Sequence, residues 1–258
     1  MAGAASALAS GAGEKPDFQF VVANDLHYRD ERCGAWLGKV TAAIRALHPQ
    51  PAFVVLAGDL AESGTREQLG AVREIFHPLP MPVRTVIGNH DYTDDQRREP
   101  FLDLFGQTLN YRFREGGCEF LALDTTQGRE VFRTRIANET LSWLDAALPG
   151  VSRSRPLIVL THFPLGRNWL RPVNSASLIN RLRPFAFQAS FSGHWHGWTE
   201  PVERGVHLST GRCCSWWRAN HDGSPLKGFA LCRVRDGMVR HEFIKVGEGD
   251  EESGCGPI

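Results

Sequence analysis

The sequence predicts an α/β layered fold. Short apolar runs alternate with segments of helical spacing, and each apolar run breaks into a polar loop. The residue types able to do chemistry collect just after those runs, as expected where ligands gather beyond the carboxyl ends of strands.

Taken in order, the first residues, MAGAASALASGAGEKP, are small and low in complexity and read as a flexible tail over 1–16. They lack a basic start and a strong apolar stretch, so as written they point to a cytoplasmic protein. An extracytoplasmic origin follows only if this is a shortened signal sequence. From Asp17, FQFVVANDL reads as a buried strand. Glu31 to Leu47 has helical spacing, with Trp36, Leu37, Val40, Ile44 and Leu47 near one face. Pro49 and Pro51 bracket a turn before the strand AFVVLAGDL. A helix through Thr65 to Phe76 follows, and PVRTVIGNHD repeats the strand-then-loop plan.

Residues 109–124 read as a hairpin turned at Gly116-Gly117. Ile136 to Leu148 reads as a helix with Leu141, Leu144 and Leu148 on one side. RPLIVLTHF and AFQASFSGHWHG are further buried strands, and 205–246 reads as several strands joined by turns. The length suits one domain over 17–247, with 248–258 a solvated C-terminal tail. Six strand-like segments thus end in, or just before, a metal-capable residue, on a simple reading around one sheet.

Bulk properties narrow the function. The chain has 258 residues, 29 Lys and Arg against 29 Asp and Glu, and 42% apolar residues. That balance, with no basic cluster, argues against a nucleic-acid polymer as partner. No apolar run is long enough to cross a bilayer. The six cysteines form no C-x-x-C pair and read as buried thiols, with a single disulfide as the alternative.

The chemistry-bearing elements are Asp25-Leu-His27, Gly58-Asp59, Gly88-Asn89-His90-Asp91, Thr161-His162 and Gly193-His194-Trp-His196. Carboxylates, imidazoles and an amide oxygen suit borderline divalent metals or iron rather than a thiolate site. Each element alone is an ordinary loop feature, since Gly, Asn and Asp favour turns. Five of them, each at a strand end and together supplying seven ligand-type side chains, form a specific pattern.

In that order and spacing they resemble the calcineurin-like metallophosphoesterase superfamily, over about residues 18 to 198, and within it small bacterial phosphodiesterases of the cyclic-nucleotide type. The resemblance implies a four-layer α/β/β/α sandwich of two mixed sheets flanked by helices. It implies that Asp25, His27 and His196 hold one metal, Asn89, His162 and His194 a second, and that Asp59 bridges them. His90 is then expected to face the substrate, with Asp91 orienting it. Two ions, drawn from Mn2+, Fe2+/Fe3+ or Zn2+, would share a hydroxide for in-line attack on phosphorus. Tyr28 follows His27 but falls on no ligand position of the motif, which favours a divalent or Fe/Mn pair over a phenolate-bound ferric ion.

The expected substrate is a small phosphate diester. The alternatives are a monoesterase or nucleotide pyrophosphatase with the same centre. A non-catalytic metal-binding interaction module is disfavoured because every ligand position and His90 are filled. Arg212, Trp217, Asn220 and His221, in the loop STGRCCSWWRANHDGSPLKGF, are candidate substrate contacts, as are Trp169 and Tyr92. Oligomeric state is not legible in the chain.

Overall fold

The computed structural model describes residues 17–247. The tails expected at 1–16 and 248–258 lie outside the described residues, as does Cys255. In chain order the elements are β1 (Phe18–Ala23), α1 (Glu31–Arg45), β2 (Val54–Ala57), α2 (Arg66–Phe76), β3 (Val83–Val86), α3 (Glu99–Phe105), β4 (Tyr111–Glu115), β5 (Cys118–Ala122), α4 (Asn138–Ala147), β6 (Leu157–Leu160), α5 (Ser175–Leu182), β7 (Phe187–Ser192), β8 (Val202–Glu203), β9 (Val206–Thr210), β10 (Gly228–Arg235) and β11 (Met238–Lys245). Short 3-10 turns follow β3 and α4.

There are two sheets, not one. The first runs β11-β10-β1-β2-β3 and the second β4-β5-β6-β7-β9-β8. In the first, β1, β2 and β3 are parallel and β10 joins β1 antiparallel. In the second, β5, β6, β7 and β9 are parallel. The two sheets pack face to face with helices outside both, giving the four-layer sandwich that the resemblance implied.

The period-two alternation of side chains sorts the strands into layers. Phe20 and Val22 of β1 point between the sheets, with Val55 and Ala57 of β2 and Ile158 and Leu160 of β6. Val21 and Ala23 point the other way, onto Trp36, Leu37, Val40 and Ile44 of α1 and Leu69, Val72 and Phe76 of α2. Leu157 and Val159 pack on Leu141 and Leu144 of α4 and Leu178 and Leu182 of α5. Burial on both faces is why these strands read as unbroken apolar runs.

Local signals fix the element ends. The Asp30 carboxylate accepts the amides of Arg32 and Cys33 at the start of α1, and Thr65 Oγ1 accepts that of Gln68 in α2. The hairpin between β4 and β5 turns at Gly116 and Gly117, with φ of +50° and +76°. Helix α1 stops at Arg45 rather than Leu47, and α4 spans 138–147 within the expected 136–148. Helices α3 and α5 were not anticipated: at 7 and 8 residues they make only about two turns, too few for a periodic signal. Residues 211–227 hold no helix or strand and lie against the strand ends. No disulfide joins the five described cysteines, and all are buried. Among the described residues no helix is long and apolar enough to cross a membrane.

Between the sheets Phe20 stacks on Phe53 at 5.0 Å, and Phe120 meets both edge-on at 5.5 and 5.2 Å. Phe120→Ala is expected to destabilise the protein by about 3–5 kcal/mol, read from chemical denaturation, because neither sheet can move in to fill the gap.

Candidate metal centre

The parallel strands of both sheets deliver their carboxyl ends to one edge. Asp25 and His27 follow β1, Asp59 follows β2, Asn89 follows β3, His162 follows β6, and His194 and His196 follow β7. The ladder of the first sheet runs on past its strands: the Asp25 amide donates to the Gly58 carbonyl at 3.0 Å and the His27 amide to the Asp59 carbonyl at 2.9 Å. Five of these residues then take left-handed backbone, with φ of +55° at Asp25, +47° at His27, +52° at Asp59, +64° at His194 and +47° at His196. Such conformations cost a non-glycine residue roughly 1–3 kcal/mol each and collect at functional sites. Space is made by glycines. A Cβ on Gly58 would lie 2.3 Å from His162 Nδ1, and one on Gly193 would lie 2.5 Å from Asp25 Oδ2.

Among the described residues, besides a group of His27, Glu62 and His90, two clusters capable of coordinating divalent metal ions result: Asp25, His27, Asp59 and His196, and Asp59, His162 and His194. Asp59 belongs to both. Asn89 Oδ1 lies 3.2 Å from His162 Nε2, which puts it at the second.

Hydrogen bonds set which nitrogen of each ring is left as an acceptor. His27 Nδ1 donates to Glu62 Oε2 at 2.8 Å and His196 Nδ1 to the Ala219 carbonyl at 3.3 Å. Their Nε2 atoms are thereby turned toward each other, 3.1 Å apart, with Asp59 Oδ2 at 3.6 Å from one and Asp25 Oδ1 at 3.4 Å from the other. His162 Nδ1 donates to the Ala57 carbonyl at 3.0 Å, which turns its Nε2 onto Asn89 Oδ1 and, at 3.3 Å, Asp59 Oδ1. His194 Nε2 donates to the Val131 carbonyl at 3.0 Å, leaving Nδ1. Such converging nitrogens and carboxylate oxygens repel one another unless a proton or a metal cation sits among them, and this donor set fits divalent metals.

The electrostatics agree. Burial alone would raise Asp25 and Asp59, but the imidazoles beside them, His196 and His162, hold both carboxylates below their usual range. Burial opposes charge on His162 too, yet Asp59 outweighs it and raises the ring to about 9; Asp25 likewise raises His196. Burial keeps His27, at about 4, and His194, at about 3, neutral. The pocket thus holds two carboxylates that draw protons onto imidazoles where a cation can take their place.

His90 lies part-buried beside the clusters, and its Nδ1 donates to the backbone carbonyl of Glu62 at 2.9 Å, leaving Nε2 as the acceptor nitrogen. Asp91 does not orient it. Its carboxylate accepts the amides of Leu60 and Ala61 at 2.7 and 3.0 Å and that of Gly88 at 2.8 Å, tying the Asp59 and Asn89 loops together.

Among the proposed substrate contacts, Trp217 donates its indole N–H to the His27 carbonyl at 3.0 Å, with the Arg29 and Arg218 guanidiniums over its ring. Asn220 is buried and braces the 213–226 loop through the Cys213 amide and the Ser224 and Leu226 carbonyls. Arg212 pairs with Asp222 at 2.8 Å, and the Tyr92 hydroxyl meets Thr126 in the interior. His221 and Trp169 remain exposed beside the clusters. The Tyr28 ring packs beside Gly34 of α1.

Glu62 was not singled out from the sequence. Its carboxylate holds His27 Nδ1 on one oxygen and Arg218 on the other. Its only signal was lying three residues beyond Asp59.

Two outcomes are expected. Glu62→Gln should weaken metal binding about 10- to 100-fold in competitive chelator titrations, since outer-shell partners of ligating histidines carry that weight. Loading metal-free protein near neutral pH should release protons, because Asp59 raises His162 to about 9 and that ring must be neutral to ligate. Affinity should climb as pH rises to about 9, the raised value of His162, and fall in acid. Calorimetry in buffers of different ionisation enthalpy reads this directly; a heat independent of buffer would contradict it.

A family model described as calcineurin-like phosphoesterase matches residues 18–198. A probable cyclic nucleotide phosphodiesterase of Rhodopseudomonas palustris is 27% identical over 75% of this chain and 77% of its own length. The glycerophosphodiester phosphodiesterase GpdQ of Enterobacter lignolyticus is 24% identical over 72% of this chain and 74% of its own. Among solved structures, a purple acid phosphatase from yellow lupin superposes with a TM-score of 0.63 at 15% identity, over 89% of this chain and 52% of that one, a likeness of fold alone. With the matched segment spanning both clusters and most of both sheets, the chain belongs to the calcineurin-like phosphoesterase family.

Proposed function

We propose that the protein is a metal-dependent phosphodiesterase acting on a small diester. The observation that carries this reading is the pair of clusters sharing Asp59, with His90 beside them and its Nε2 free to meet a substrate. In this reading Asp25, His27, Asp59 and His196 hold one ion, and Asp59, Asn89, His162 and His194 the other. Such a pair supplies an acidified water near neutral pH and neutralises charge on the phosphoryl oxygens.

The chain's own residues do the rest. The Glu62 carbonyl keeps the proton on His90 Nδ1, so His90 Nε2 presents either a lone pair or, when protonated, a donor to the departing oxygen. The Glu62 carboxylate holds His27 in its ligating tautomer, and Trp217 pins the backbone of His27. Asp91 fixes the loop that carries Asn89.

Charge supports a diester over a monoester. Arg218 reaches the Glu62 carboxylate beside His27 and is neutralised there, so it adds no net charge next to the metal clusters. A phosphate bearing one charge asks less of its surroundings than one bearing two. Relatives named as phosphodiesterases fit this reading, while a serine/threonine-protein phosphatase of Rattus norvegicus, 27% identical over 60% of this chain, keeps monoester cleavage as the competing outcome.

The test compares bis-p-nitrophenyl phosphate with p-nitrophenyl phosphate on metal-reconstituted protein. Diester turnover is expected to dominate and to fall at least 100-fold in Asn89→Ala, the scale of losing a group that acts on the transition state. Dominant monoester turnover would replace the substrate class while leaving the metal centre in place.

A further inference from the structure

Phe132 and Trp169 are large rings left in water, 57% and 66% exposed. They come from separate loops, yet they stack with their planes 14° apart and centroids 5.5 Å apart. Trp169 meets Trp195 edge-on at 6.0 Å, Trp195 meets His221 edge-on at 5.2 Å, and His221 lies 5.3 Å from His196. At the outer end, Val131, the chain neighbour of Phe132, accepts the N–H of His194. A continuous line of aromatic contacts therefore runs from solvent to His196 of the first cluster, and the loop that carries its outer ring meets His194 of the second through the Val131 carbonyl. None of its four rings, Phe132, Trp169, Trp195 or His221, belongs to a hydrophobic core cluster.

We propose that this wall is the subsite for the organic group of the ester, and that it selects a planar heteroaromatic group, a nucleobase, over an aliphatic one. The inference rests on the phosphodiesterase reading and names its substrate class. Exposed ring faces beside a phosphate-binding centre offer a base a surface to stack on, whatever the base, because every base has a π-face. An aliphatic alcohol has no such face. A quaternary ammonium group would also favour aromatic rings, but Arg133, Arg167 and Arg171 stand exposed in the same two loops and make these surroundings cationic. That charge favours an anionic nucleotide.

The test uses two diesters with the same leaving group and the same charge: the p-nitrophenyl ester of thymidine 5′-monophosphate and methyl p-nitrophenyl phosphate. The ratio of kcat/KM on the two is the readout, with the metal-loaded full chain. Wild type should prefer the nucleoside ester. Trp169→Ala and Phe132→Ala should each lower the ratio about tenfold, chiefly through KM on the nucleoside ester, the scale of removing one stacking partner. Trp169→Phe should retain most of it. A ratio unmoved by either alanine variant would overturn the proposal.

If neither ester is turned over, the phosphodiesterase reading fails, and binding decides about the wall. Tryptophan fluorescence with thymidine 5′-monophosphate and with ethyl phosphate should then show tighter binding of the nucleotide, reduced in Phe132→Ala. Equal binding of the two ligands would sink the subsite.

Discussion

Asp25 and Asp59 are carboxylates with almost no access to water, and the geometry around them follows from the need to satisfy that buried charge. Asp25 accepts the amide of His194 from the opposite sheet and the side-chain amide of Asn24. Asp59 accepts the amide of His90 and faces His27 and His162. Each carboxylate thus closes the sandwich at its edge while offering oxygen to a cation. Removing either would leave imidazoles facing one another with nothing between them, which makes this edge both the candidate centre and the seam between the sheets.

The left-handed backbone at five of these residues belongs to the same constraint. In a strand that continued straight, residues two apart such as Asp25 and His27 would share a face but stand about 6–7 Å apart along it. Turning through positive φ just past the strand end lets Asp25 and His27, and likewise His194 and His196, serve one centre from alternate positions. The strain is held by the amide-to-carbonyl ladder from Asp25 and His27 to Gly58 and Asp59, and by glycines whose missing Cβ leaves room for His162 and Asp25.

Around this rigid edge lies a second tier that comes from irregular chain. The 211–227 segment sends Trp217 to the His27 carbonyl, Arg218 to Glu62, and His221 toward His196. The loop before α4 sends the Val131 carbonyl to His194. Metal-ligating imidazoles are oriented by such partners, so residues far apart in sequence set the tautomers on which the centre depends. The proposed base subsite belongs to the same tier, where Phe132 and Trp169 stand in water.

The strands that end in D-x-H, G-D, G-N-H-D and G-H-x-H were legible because burial on both faces leaves unbroken apolar runs and because turn-favouring residues mark their ends. The set of ligand-type residues was legible for the same reason: chemistry at parallel strand ends must reuse a few residue types at fixed spacing. Helices α3 and α5 were not, being too short to show a period. The split into two sheets came from resemblance rather than pattern, since a buried strand reads alike in either. What only the tertiary structure decided is who faces whom: that Glu62, not Asp91, governs His27 and His90, that Asn220 and Arg212 brace a loop, and that Trp169 meets Phe132. The Glu62 and Trp169 pairings join residues 28 to 37 positions apart, and even the shorter loop contacts fall at no repeating period, so spacing along the chain carries no information about them.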